Sequence, residues 1–213
     1  MLKVKVFPFS PIQENTYLVF DTQGNTLVID PGCYSPAEEE KMAQFILAQG
    51  LTPRKLLNTH CHLDHVFGNR WVHQHYGLEL HLHEGEKEML SWAPLSGEKW
   101  GLPFVNYNGP LHFIQPGDTI LCGNDALTVL FTPGHSPASV CFYCADQGFV
   151  IGGDVLFRES IGRTDLPGGD HATLLESIRT VLFTLPDETI VYPGHGIPTT
   201  IGHEKRNNPF LQG

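Results

Sequence analysis

Three imidazoles and a carboxylate stand within six residues of one another in His60-Cys61-His62-Leu63-Asp64-His65, and His135, Asp154 and His195 stand alone further along the chain. Imidazole and carboxylate are the donors that zinc, iron and manganese take from proteins. His60 and His62 can face one ion while Asp64 and His65 face a neighbour. Two ions about 3.5–4 Å apart share one water and lower its pKa toward neutrality, so that a hydrolase built on them needs no serine or cysteine nucleophile.

Each donor group follows a strand-like run. Lys-Leu-Leu-Asn-Thr leads into His60, Leu-Thr-Val-Leu-Phe-Thr-Pro-Gly into His135, Phe-Val-Ile-Gly-Gly into Asp154, and Ile-Val-Tyr-Pro-Gly into His195. Strands of one sheet can bring their ends to a common edge, and the glycines before three of the ligands permit tight turns there. Strands are expected at 2–9, 16–21, 26–30, 55–59 and 78–83, then at 111–115, 126–132, 138–144, 148–152 and 189–193, all rich in Val, Ile, Leu, Phe and Thr and bounded by turn residues. A helix is expected from Pro36 to Gln49, with Ser35 as N-cap, Glu38 completing a capping box and Gly50 at its end. A second runs from His171 to Leu185, capped by Asp170, and a shorter one from Gly68 to His75. The stretch 92–110 reads as loop, either lining a cleft or packing. Strands in meanders broken by few helices point to a mixed α/β protein.

With 213 residues the chain suits one domain. A formal net charge of −10 disfavours a nucleic-acid partner. No apolar run approaches the roughly 18 residues of a membrane span, and Met-Leu-Lys-Val-Lys-Val-Phe alternates like a strand rather than a signal peptide. Five scattered cysteines do not form a disulfide framework, and Cys141 and Cys144 lie in an apolar strand where core packing is expected. Together these features point to a cytoplasmic protein without a membrane partner, with a monomer as the default. Of the other histidines, His81 and His83 should share the solvent side of a strand, His73, His75 and His112 should be superficial, and His171 and His203 could approach the cleft.

H-x-H-x-D-H followed by strand-turn-His, strand-Gly-Asp and strand-Gly-His resembles the metallo-β-lactamase superfamily, from Val-Ile-Asp-Pro-Gly at 28–32 to His195. The resemblance implies a four-layer αββα sandwich. It assigns His60, His62 and His135 to a first metal and Asp64, His65 and His195 to a second, with Asp154 bridging. Two divalent ions against Asp64, Asp154 and a hydroxide leave roughly one positive charge to attract an anionic substrate. Asp30 matches a position that supports the ligand loops from behind; a turn residue before Pro31 is the other reading.

Asp154 stands where antibiotic-hydrolysing members carry Cys or no such carboxylate, which disfavours β-lactams. The pattern is similar to the glyoxalase II-like branch, hydroxyacylglutathione hydrolases that cleave thioesters such as S-lactoylglutathione, and the tail from Gly194 to Gly202 resembles its short bacterial type. The C-terminal helical domain of the typical enzyme is missing, and Gly162-Arg163-Thr164-Asp165 replaces its Lys and Tyr contacts to glutathione. Arg163 can substitute for the lysine by binding a carboxylate bidentately. The expected cofactors are two divalent ions, zinc or iron, with manganese also suited, and the expected partner is a glutathione-derived thioester. The same ligands also resemble mono-iron persulfide dioxygenases, which use the equivalents of His60, His135 and Asp154. A non-catalytic metal-binding sensor is the third reading.

Overall fold

The computed structural model describes residues 1–212. The chain divides into two compact units, one of Met1–Ile114 with Leu121–Ala126, the other of Gln115–Ile120 with the chain from Leu127 onward.

In the first unit the elements run β1 (Lys3–Phe9), β2 (Glu14–Phe20), β3 (Asn25–Ile29), α1 (Pro36–Ala48), β4 (Thr52–Leu57), α2 (Leu63–Val66), α3 (Asn69–Tyr76), β5 (Leu80–His83), α4 (Lys87–Trp100) and β6 (Leu111–Ile114). The strands form one sheet in sequence order, antiparallel from β1 to β3 and parallel from β3 to β6. Every residue of β2 is buried, as suits a strand covered on both faces. Helix α1 begins as its sequence dictates: Ser35 caps Glu38, Glu38 returns the bond, and Pro36 occupies the first turn. Met42 of this helix joins Phe7, Phe9, Leu18, Val28 and Leu56 in the core.

The 92–110 loop expectation is corrected by α4, which continues through Pro94 to Trp100. Pro94 and Gly97 read as breakers, yet Met89, Leu90, Ala93 and Gly97 are buried along one face. Gly97 has a packing reason: a Cβ there would lie 2.6 Å from the Leu102 carbonyl oxygen. Gly101, in the left-handed region, ends the helix.

The chain then continues through β7 (Thr119–Cys122), β8 (Asp125–Phe131), β9 (Val140–Cys144), β10 (Phe149–Gly153), β11 (Leu156–Phe157), β12 (Ser160–Ile161), α5 (His171–Thr180), β13 (Ile190–Pro193), β14 (Thr199–Thr200) and α6 (Ile201–Asn207). The second sheet has the order β14-β13-β10-β9-β8-β7, and β11 and β12 form a separate ribbon. Strands β10 and β13 are parallel, with Gly153 opposite Pro193. Asp170 caps α5 through the Thr173 amide. The helix ends five residues short of the expected Leu185, and after Val181 a 3₁₀ turn over Leu182–Thr184 takes its place. Cys141 and Cys144 are buried in β9. Among the described residues no helix is long and apolar enough to cross a membrane.

Candidate metal centre

In the first unit the parallel strands β3 and β4 end side by side, Ile29 opposite Leu57, and the Asp30 amide still bonds the Leu57 carbonyl at 2.9 Å. The residues just past these ends hold the ligand loop. Asp30 sits at φ +49, in the left-handed region. Its Oδ1 accepts from the Thr59 amide at 2.7 Å and from Asn58 Nδ2 at 3.2 Å, and its Oδ2 accepts the Thr59 hydroxyl at 2.6 Å. Asn58 Nδ2 also donates to the His65 carbonyl, and Asn69 donates to Asn58.

This network sets the protonation of two rings. The Thr59 hydroxyl proton goes to Asp30, so its oxygen can only accept from His60 Nδ1, 3.0 Å away. His65 Nδ1 lies 3.1 Å from Asp30 Oδ2, where a carboxylate requires a donor. Both rings therefore carry their proton on Nδ1 and turn an Nε2 lone pair outward, the arrangement of a metal-binding histidine backed by a carboxylate. Asp30, His60 and His65 bring ligand atoms within 4.8 Å of one another, and both Asp30 oxygens already accept hydrogen bonds from Asn58, Thr59 or His65. The rings of His60 and His62 lie 4.9 Å apart and those of His60 and His65 4.1 Å. His62 precedes the first turn of α2, which carries Asp64 and His65. All four are buried.

Two buried glutamates of the first unit escaped the sequence reading. Glu86 accepts the Cys61 amide at 2.9 Å and so pins the loop between His60 and His62. Burial, with Glu86 and Asp30 nearby, pushes the Cys61 thiol well up. Glu14 accepts from Thr16 at 2.9 Å, and its Oε1 lies 3.8 Å from His65 Nδ1. Gly32 is required beside it, since a Cβ there would fall 2.0 Å from Glu14 Oε2. The sequence signal for Glu14 is a lone acid shortly before the run Tyr17-Leu18-Val19-Phe20.

In the second unit the parallel ends of β10 and β13 place Asp154 beside His195, and both His135 Nε2 and His195 Nε2 lie 3.5 Å from Asp154 Oδ2. His135 Nδ1 meets the Arg163 carbonyl at 2.7 Å. A carbonyl only accepts, so this ring too is protonated on Nδ1 and presents Nε2 as a lone pair. Gly162 allows the close approach: a Cβ there would lie 1.9 Å from the Asp154 carbonyl oxygen. Fully buried Glu204 ties the surrounding loops together, accepting from Thr199, Asn208 and the Glu159 amide.

The Arg163 guanidinium is exposed and held by Asp165 through two bonds of 2.7 Å. That pairing pulls the Asp165 carboxyl down to about 2. The remaining histidines are occupied away from these donor sets. His81 and His112 stack across β5 and β6, with His112 on Glu79. His81 and His83 alternate half-buried against buried Leu80 and Leu82. His73 is half-buried and bonds the Leu78 carbonyl. His203 pairs with Glu159, and His171 is exposed.

The sequence matches the metallo-beta-lactamase superfamily over residues 10–195, and the chain belongs to that superfamily. It is 42% identical over 215 residues to the probable metallo-hydrolase YqgX of Bacillus subtilis, covering 100% of this chain and 99% of that one. It is 38% identical over 212 residues to the hydroxyacylglutathione hydrolase GloC of Haemophilus influenzae, covering 99% and 98%. Among solved structures, the BLEG-1 B3 metallo-beta-lactamase superposes with a TM-score of 0.91 at 37% identity, covering 99% of this chain and 100% of that chain. TTHA1623 in a di-iron-bound form superposes at 0.88 with 40% identity, covering 97% and 100%. The α/β class expected from the sequence, two sheets flanked by helices in the metallo-β-lactamase fold, is the one found.

Proposed function

We propose that the chain is a metal-dependent thioester hydrolase of the glyoxalase II type, converting S-lactoylglutathione to lactate and glutathione. The observation that carries the substrate class is the 38% identity to a hydroxyacylglutathione hydrolase over 99% of the chain. The metal requirement is supported by the donor chemistry. His60, His65 and His135 each have Nδ1 committed to a fixed partner, which leaves Nε2 as the ligating atom.

In this reading His60, His62 and His135 would hold one divalent ion and Asp64, His65 and His195 a second, with Asp154 as the carboxylate that could serve both. The di-iron form of the TTHA1623 relative supports two ions and iron among the metals; zinc and manganese suit the same donors. When bound, such a pair supplies hydroxide near neutral pH and polarises a carbonyl. Asp154 brings charge and spacing to the pair, and Asp64 orients the proton of the attacking water. The leaving group is a thiolate with a pKa of about 8.5, so no side chain need protonate it. Arg163 meets the substrate carboxylate in exchange for Asp165. Five buried thiols suit a reducing, cytoplasmic setting.

The test is loss of thioester absorbance with S-D-lactoylglutathione and protein of measured metal content. Hydrolysis that a chelator abolishes and added zinc, iron or manganese restores is the expected result. Failure with fully metallated protein rejects the substrate. Oxygen uptake with glutathione persulfide would then put the mono-iron dioxygenase in its place, cleavage of a cephalosporin would put a β-lactamase there, and bound metal with no turnover on any of these would leave a metal sensor.

A further inference from the structure

Within the first unit a cavity of about 590 Å³ opens among the start of α1, helix α3 and the segment after α4, and no candidate metal ligand lines it. One wall is aromatic. The Tyr34 and Phe67 rings lie 4.8 Å apart, Phe104 meets Phe67 edge-on at 4.9 Å, and the Tyr34 hydroxyl is anchored on the Pro103 carbonyl at 3.1 Å. Rings braced in this way form a stiff apolar surface, and the volume is that of a small-molecule site.

Two charged groups of the lining are unspent. Arg70 on α3 and Glu39 on α1 both face the cavity and are half-buried. Among the described residues neither makes a hydrogen bond or an ion pair, to each other or to any other group. Partial burial disfavours the Glu39 carboxylate and raises its pKa. Two opposite charges that line one cavity, each partly removed from water and without a hydrogen bond or ion pair, Glu39 sensing only the charge of His75, complement a ligand that carries both charges itself.

We propose that this cavity binds a small zwitterion with an aromatic body, the class of the aromatic α-amino acids: the ligand carboxylate on Arg70, its ammonium on Glu39, and its ring on the Tyr34–Phe67–Phe104 wall. The site is separate from the metal donors and independent of the thioesterase reading.

The experiment is calorimetric titration of the full, metal-loaded chain with L-phenylalanine, 3-phenylpropionate and 2-phenylethylamine. L-Phenylalanine should bind saturably at one site with a Kd of about 1 mM or tighter. The two comparators, each lacking one charge, should bind at least about tenfold more weakly, as should L-phenylalanine to R70A and E39Q. Absence of a saturable isotherm for L-phenylalanine overturns the proposal. Equal binding of either comparator overturns the zwitterion, and undiminished binding to R70A or E39Q places the ligand elsewhere and overturns the site. The comparators use the unsubstituted protein, so the test stands even if a variant misfolds.

Discussion

Thr59 donates its hydroxyl to Asp30 Oδ2 at 2.6 Å, and that one bond decides which nitrogen of the neighbouring His60 carries its proton. Asp30 thus acts on two rings, on His60 through Thr59 and on His65 directly. Asp30→Asn isolates this role. Asparagine tolerates the positive φ of position 30, so the turn survives, but one carboxylate oxygen becomes an NH₂ facing donors. Metal affinity should fall about 10–100-fold, read as metal content after dialysis against a graded chelator. Unchanged affinity would mean that the network orders the loop without tuning the rings.

Asp154→Ala removes a carboxylate whose Oδ2 lies 3.5 Å from both His135 Nε2 and His195 Nε2. Turnover should fall below about one hundredth of the unsubstituted rate, and bound metal should drop with it. A variant that keeps full metal and full rate would end the bridging assignment.

Arg163 is satisfied by Asp165 before any substrate arrives, so the pair offers a paired test. Arg163→Ala should raise KM for an anionic thioester about tenfold with kcat nearly unchanged. Asp165→Ala, which releases the guanidinium, should lower KM, and added salt should shrink both effects. If neither substitution moves KM, Arg163 does not contact the substrate.

The donors themselves were legible in the sequence because each ends an apolar run: the runs before His60, His135, Asp154 and His195 are β4, β8, β10 and β13. Their supports were not. Thr59 and Asn58 are ordinary strand-end residues until Asp30, some 28 positions earlier, comes to lie beside them, and that proximity follows from β3 and β4 pairing in parallel. Glu86 and Glu204 look like solvent-facing acids in sequence, since a buried carboxylate is recognised only by the amides and hydroxyls that it satisfies. Helix α4 was hidden by Pro94 and Gly97, whose intrinsic preferences are overridden by the burial of Met89, Leu90 and Ala93. The glycines were half-legible: Gly134 was read as a turn, but its neighbour Leu174 comes from a helix forty residues on.

That neighbour makes Gly134 a sharp probe of the second unit. Its φ of +126 lies where only glycine is comfortable, and a Cβ would fall 2.3 Å from the Leu174 amide nitrogen. Gly134→Ala should cost about 1–3 kcal/mol from backbone strain alone, and more from the contact. Because His135 follows directly, metal content should fall as well. Urea unfolding reads the first effect; an unchanged midpoint would show that the turn relaxes freely.

Glu39 supplies a pH test. Burial raises its carboxyl above the ordinary value near 4.5, with His75 partly opposing the rise. A carboxyl whose pKa is higher in the folded than in the unfolded chain favours folding when protonated and opposes it when ionised. Its cost is therefore absent at acid pH, grows as pH rises through the unfolded value, and is complete above the folded one. Glu39→Gln removes the charge, so it should raise the melting temperature at pH 7, and the gain should vanish as pH falls below about 4. A gain that persists unchanged at low pH would come from packing rather than ionisation. A loss at pH 7 would mean that the Glu39 charge is compensated in the folded chain.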